Sequence, residues 1–318
     1  MRLALVLVAL AVHAEFAAAQ SYPAKPVRLI VPFAPGGSTD IVARLLAPRL
    51  SENLSQSVVV ENRAGGGTTI GMDHVAKSAP DGYTLGVATL TFALNPSLFA
   101  KLPYNTEKDF APVSLVSIVP FVIAIHPSVP ARSVKQLIAV AKSKPGELNY
   151  SSSGIGSASQ MAAELFKYMT GTDMVHVPYT GGGPAMIALL SGQVSLFVIS
   201  IPGGLPHFRT GKLVALGVTS TKRDPTIPDV ATVAEQGLAG YELLEYQGIV
   251  APAATPRPVI NRLQQEIVKS LAAPDVKERF VTSGAYVIGS TPEELTEHVR
   301  KEIATWAKVI KAAGIRLE

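Results

Sequence analysis

Three segments of this 318-residue chain share one composition: an apolar run, a turn of Gly, Ser and Thr, then residues spaced as a helix. They are Leu29 to Asp40 (LIVPFAPGGSTD), Leu148 to Ser159 (LNYSSSGIGSAS) and Val175 to Pro184 (VHVPYTGGGP). The first N–H groups of a helix have no partner within it, and the helix dipole puts partial positive charge there. Glycine removes the Cβ that would hold an anion away from those N–H groups, and hydroxyls add donors. Several such ends converging would hold a carboxylate without Arg or Lys. Pro184 suits the first turn of its helix, where a missing N–H costs nothing. One such turn is ordinary βα geometry, whereas three in one chain point to a binding site. None carries Gly-Lys-Ser/Thr or completes G-x-G-x-x-G, so a nucleotide is not the expected anion.

Catalytic patterns are weaker. The six histidines (13, 74, 126, 176, 207 and 298) are isolated, with no i, i+4 pair and no H-E-x-x-H. His176 sits in a strand-like run and reads as a packed or solvated side chain. Ser157, on a Gly-rich turn, lacks the G-x-S-x-G elbow and a placed base, so it reads as a hydroxyl donor. Glu242 and Glu245 are expected to face solvent. There is no cysteine, which excludes disulfides, thiolate metal sites and a cysteine nucleophile. No metal or cofactor is expected.

The elements that must position these turns alternate. Val27 to Val31 is a strand run, and Asp40 to Leu50 follows with Ile41, Val42, Leu45 and Leu46 at helical spacing. Pro48 should kink or shorten that helix. Val58 to Val60 and Thr84 to Ala88 read as strands, with a helix from Ile70 to Lys77 between them. Phe121 to Ile125 reads as a strand opening a second βα series, and Gly248 to Ala251 as the strand that closes it. The tail from Val259 to Ala273 and from Pro292 to Ala313 is helical, with Ile260, Leu263, Ile267 and Leu271 on one stripe. Trp306 in that tail reads as core packing rather than a partner surface. Alternation of this kind gives parallel sheets covered by helices, whose ligand crevice lies at the carboxyl edge of the strands. A chain that leaves one domain, builds a second and returns makes a two-strand hinge.

Met1-Arg2, the ten apolar residues from Leu3 to Val12 and the small residues Ala17 to Ala19 read as a secretory signal over 1–19. Ten apolar residues are too few to span a bilayer of roughly 30 Å. About 298 residues then remain, room for two α/β domains of about 150 each. We read them as one lobe of 20–121 and 248–318, and another of 122–247. The formal charge of +4 comes from 28 scattered Lys and Arg against 24 Asp and Glu, which suits an anionic small ligand and not nucleic acid.

Val27 to Asp40, Val58 to Gly65 (VVVENRAG), Ala79 to Leu85 (APDGYTL) and Asp173 to Tyr179 (DMVHVPY) resemble the Bug family of extracytoplasmic solute receptors. That family includes the binding proteins of tripartite tricarboxylate transporters. Asn95-Pro96, Leu102 to Tyr104, Asp109 to Val113, Ile227 to Val230 and Ala251 to Pro256 extend the likeness over the whole mature chain. It implies a type II periplasmic binding protein fold: two α/β lobes, a two-strand hinge and an interlobe cleft that binds a carboxylate. It also implies a monomer in the periplasm serving the membrane permease subunits of a tripartite transporter. By position, Phe33, Ala34, Gly37, Ser38 and Thr39 would bind from one lobe, with Thr91 and Asn95 on its wall. Ser153, Gly156, Ser157 and Thr180 would face them. Asp40 is placed with them but reads foremost as a helix cap. Two departures bear on the ligand: Ile155 stands where family members often carry a polar residue, and Ile199 where they commonly carry Asp. If both line the cleft, it favours an aromatic or medium-chain carboxylate. The alternatives are a C4–C6 di- or tricarboxylate or amino acid bound for sensing, and an exported hydrolase.

Overall fold

A computed structural model of the chain describes residues 22–313. The signal-like segment 1–19 lies outside them. The first run of elements is β1 (Val27–Val31), α1 (Ser38–Leu54), β2 (Val58–Asn62), α2 (Thr69–Ala76), β3 (Thr84–Ala88) and α3 (Leu90–Leu98). Next come β4 (Phe110–Ile125), α4 (Val134–Ser143), β5 (Asn149–Ser152), α5 (Ala158–Thr170), β6 (Val175–Pro178), α6 (Gly182–Leu190), β7 (Leu196–Ser200), α7 (Ile201–Arg209) and β8 (Val214–Val218). The chain ends with β9 (Leu244–Pro252), α8 (Arg257–Ala272), α9 (Pro274–Ser283), β10 (Tyr286–Val287) and α10 (Pro292–Ala313).

One lobe is built on the order β2-β1-β3-β9-β4, in which β1 is parallel to both β2 and β3, and β9 runs against β3 and β4. The other joins β4 to β7, β5 and β6, with β8 also beside β4. The two lobes share β4. From Phe110 to Pro120 this strand pairs with β9, and from Phe121 to Ile125 it pairs with β7 and β8. The predicted strand at Phe121 is therefore the far half of one 16-residue strand. Pro120 looks like a break in the sequence, but it falls where β4 changes partners, and Pro112 falls at a register shift. Proline removes one ladder donor and is tolerated at such places. Pro48 likewise does not shorten α1, which runs on to Leu54 and ends on Ser55 in the left-handed region.

Apolar periodicity places the core. The stripe Ile260, Leu263, Ile267 and Leu271 on α8 is no more than 2 % exposed and packs with Leu46 and Leu50 of α1 over Val27, Leu29 and Val31. Each such side chain contributes about 1.5–3 kcal/mol relative to exposure. On the opposite face, α10 lays Leu295, Val299 and Trp306 against Phe92 and Tyr246. Trp306 is buried, its Nε1 donating to Glu302 at 3.0 Å. The starts of α1, α5, α6 and α7 share one cavity, and that of α3 borders the next.

Candidate functional site

The lobes meet at two glycine loops. A Cβ on Gly183 would stand 2.6 Å from the Pro35 carbonyl oxygen, and one on Gly181 only 2.7 Å from Ala34 Cβ. Ala34 thus belongs to the contact between lobes and lines neither cavity beside it. One cavity has a volume of about 360 Å³, the other about 580 Å³; both are walled by Phe33, Ser153 and Ser157.

Four helix starts line the smaller cavity: Gly37, Ser38 and Thr39 for α1, Ser157 to Ser159 for α5, Gly182 and Gly183 for α6, and Ser200 and Gly203 for α7. Each brings N–H groups without helical partners, and the dipoles add positive potential. No Lys or Arg stands among the described residues of that wall. Ser157 caps α5 by accepting the Gln160 N–H at 3.3 Å. Most of the remaining wall is apolar, Phe121, Met186, Ile187, Leu190, Phe197 and Ile199, with Ser153, His207 and Glu245 as its other polar members.

The larger cavity holds Thr91, Ile155 and Thr180 from the predicted set, with Gly65 to Thr68, Phe99 and Tyr179. Ile155 is 47 % exposed there, while Ile199 is 4 % exposed on the wall of the smaller cavity. Thr91 is buried, and its Oγ1 has no partner among the described residues.

Besides Ala34, three predicted residues reach neither cavity. Gly156 is buried, its N–H donating to Gln160 Oε1 at 2.7 Å. Asn95 is fully buried and donates from Nδ2 to Gly67 O at 3.1 Å, Thr68 Oγ1 at 3.2 Å and Tyr104 OH at 3.1 Å. It ties α3 to the glycine loop before α2 instead of facing the cleft. Asp40 accepts from Gly36 N–H at 3.0 Å, Arg44 Nε at 2.9 Å and Asn62 Nδ2 at 2.9 Å. Burial alone would raise its pKa, but the hydrogen bonds from Arg44, Gly36 and Asn62 outweigh this and hold the carboxyl below its ordinary range. Asp40 therefore holds the shape of the β1–α1 turn. Asp40→Asn is expected to cost about 1–2 kcal/mol in urea unfolding at pH 7, since it weakens charge-assisted bonds without deleting the group. The stabilisation is present above the ordinary carboxylate pKa of about 4 and fades as the pH falls below it.

Glu245 overturns an expectation. Glu242 is exposed, but Glu245 is 5 % exposed and stands on the wall of the smaller cavity. Its Oε1 accepts the Leu90 N–H, at the start of α3, at 3.0 Å. Burial pushes its carboxyl up to about 7, with the backbone N–H groups of Leu90 and Tyr246 pulling the other way and Glu302 adding to the rise. The hinge strand β9 is buried from Glu245 onwards, so the carboxyl is held in a low-dielectric wall. Met186, Phe197, Gly203 and His207 also went unread in the sequence; the helix starts after β6 and β7 were the only signal for them.

No hydrolytic arrangement forms around Ser157, whose Oγ meets Gln160 N–H and Ser159 Oγ. Ser152 does stand 2.6 Å from His176 Nε2, but Ser152 is fully buried and lines neither cavity. His176 stacks on Tyr150 with centroids 4.9 Å apart, and burial lowers its pKa to about 4.

Comparison with known proteins bears on this geometry. The profile of the tripartite tricarboxylate transporter family receptor matches residues 42–315. Protein BugT of Bordetella pertussis is 39 % identical over 302 residues, covering 94 % of this chain and 93 % of its own length. The structure of periplasmic binding protein BugD superposes with a TM-score of 0.91 at 36 % identity, covering 93 % of this chain and all of that one. R. palustris Rpa4515 with adipate gives a TM-score of 0.91 at 37 % identity, with the same coverage of both chains. These likenesses fix the fold as that of a periplasmic binding protein, two lobes about a two-strand hinge. The chain belongs to the Bug family of tripartite tricarboxylate transporter receptors, and is thus a solute-binding protein rather than an enzyme.

Proposed function

We propose that this receptor captures a small carboxylate with an aromatic or medium-chain aliphatic body in the smaller cavity. The observation that carries the reading is the set of four helix starts, drawn from both lobes, on a wall without Lys or Arg. Backbone N–H groups and the hydroxyls of Ser38, Thr39 and Ser157 would hold the carboxylate. Ile199, Phe197, Phe121 and Met186 would cover its body. Thr91, Ile155 and Thr180, in the adjoining cavity, would border the entrance. A ligand touching both lobes favours their closed arrangement by its extra contacts there. We take the lobes to be 20–121 with 248–318, and 122–247. The chain would be exported by its N-terminal signal, act as a monomer in the periplasm and hand its ligand to permease subunits of a tripartite transporter. The adipate held by Rpa4515 supports a carboxylate ligand.

Native mass spectrometry of freshly purified protein should show a co-purified organic acid, and calorimetry should show binding of benzoate-type or C6 acids. Micromolar binding of citrate or aspartate, with none for those acids, would overturn the apolar-bodied ligand.

A further inference from the structure

We propose that Glu245 selects the ligand by its far end: the captured carboxylates carry a hydrogen-bond donor, a hydroxyl or an ammonium, that Glu245 accepts. This rests on the reading of the smaller cavity given above. Four helix starts and Glu245 share the wall of a cavity of only about 360 Å³. The helix starts supply donors and positive potential, whereas Glu245 supplies an acceptor and negative charge. Between them the wall is apolar, with Phe121, Phe197 and Ile199. A ligand in the cavity therefore meets both donors, from the helix starts, and an acceptor, from Glu245.

The surroundings leave Glu245 available. One oxygen is engaged by the Leu90 N–H. Among the described residues no side chain hydrogen-bonds to the other oxygen and no Lys or Arg pairs with the group. The charged and titratable groups around it are Glu302 from α10, which opposes its ionisation, the neighbouring Tyr246, whose N–H favours the charged carboxyl and whose hydroxyl that charge pushes up, and His207 from α7 on the same cavity wall. α3 contributes only its N-terminal N–H, and the β4 residue across the ladder is Val119. The carboxyl lines the cavity, so a ligand hydroxyl or ammonium placed beside it gains a charge-assisted hydrogen bond. A second carboxylate at the same place would face like charge in a poorly hydrated site and bind only with a proton taken up by one of the two. With the Glu245 carboxyl near 7, that proton exchange falls in the physiological range.

Calorimetry with hexanoate, 6-hydroxyhexanoate, 6-aminohexanoate and adipate, each in phosphate and in Tris at pH 7.5, separates these ends. The same comparison applies to benzoate and 4-hydroxybenzoate. The intact receptor should bind the hydroxy or amino acids roughly tenfold or more tighter than the unsubstituted acids, and adipate weakest with proton uptake. Glu245→Gln, which keeps the Leu90 bond, should bind adipate roughly tenfold tighter without proton uptake and lose the preference for 6-aminohexanoate. Adipate binding equally to both proteins with no proton exchange, or hexanoate matching its substituted forms, would overturn the role of Glu245 while leaving carboxylate capture standing. If no acid of the panel binds either protein, the carboxylate reading falls and this inference with it.

Discussion

Glu245→Gln should make the ligand-free receptor more stable at pH 8 by about 2 kcal/mol, with the gain vanishing near pH 5. Burial raises the folded-state pKa of Glu245 from 4.5 to about 7. Between those two values the folded protein holds a proton that the unfolded chain has released, so stability falls as the pH rises. The group's contribution is whole below pH 4.5 and lost by the time the pH has passed 7. A shift of this size corresponds to about 3 kcal/mol, and the buried amide of glutamine, short of partners for its own N–H groups, returns about 1. Glutamine still accepts the Leu90 N–H, so the start of α3 is kept. Urea unfolding at pH 5, 6, 7 and 8 measures the difference. A gap that does not widen with pH would mean that Glu245 is hydrated and does not sit in the dry wall described. Together with the selectivity panel, this separates two properties of one residue: a cost to the empty protein and a gain in choosing its ligand. Such a trade is common where function places a polar group in a core.

What the sequence made legible follows from local rules. Val27 to Val31 and Thr84 to Ala88 emerge as β1 and β3 with the expected bounds, because a short apolar run between turn residues has few other uses. The three Gly/Ser/Thr turns were readable for the same reason: βα turns announce themselves in composition, and all three open helices at the cleft. β4 was hidden by Pro112 and Pro120, whose lost donors are tolerated only through a register shift and a change of partner strand. Those are facts of pairing, invisible in one chain. Asn95 and Asp40 show a related gap. Polar residues beside a site have the same composition whether they face ligand or hold a loop, and only their partners decide it. Glu245 is the sharpest case. Among Glu242, Leu243, Leu244 and Glu245 nothing distinguishes the two acids until β9 packs against β4 and α3. The departures at Ile155 and Ile199 point to an apolar cleft, yet the acidic acceptor there comes from the hinge strand instead.

Gly183→Ala should lower ligand affinity at least tenfold while leaving the melting temperature unchanged or slightly higher. Gly183 is the second residue of α6 and has ordinary helical backbone angles, so alanine fits the helix and is favoured there by up to about 1 kcal/mol. Its methyl group, however, would lie 2.6 Å from the carbonyl oxygen of Pro35 across the cleft. That oxygen is backbone, set in a turn fixed by Asp40, and cannot swing aside as a side-chain tip would. The neighbouring approaches, Gly181 against Ala34 and Gly182 against Gly37, leave no slack for sliding. The lobes must then stay apart, and the helix starts from the two sides no longer reach one carboxylate together. Losing about 1.4 kcal/mol of closure corresponds to the tenfold change. Calorimetry with the acid identified by native mass spectrometry gives the affinity, and small-angle scattering reads the compaction on binding. The variant should stay extended with ligand present. Full compaction and unaltered affinity would show that the two loops separate in the bound form, and that the contact between Pro35 and Gly183 is not part of closure. Since the methyl meets Pro35 first, lost affinity with normal compaction would also count against the proposed role of this seam. On the proposed reading the three successive glycines at 181–183 would have two uses, opening N–H groups to an anion and letting one lobe's backbone rest on the other's, and this variant tests the second apart from fold stability.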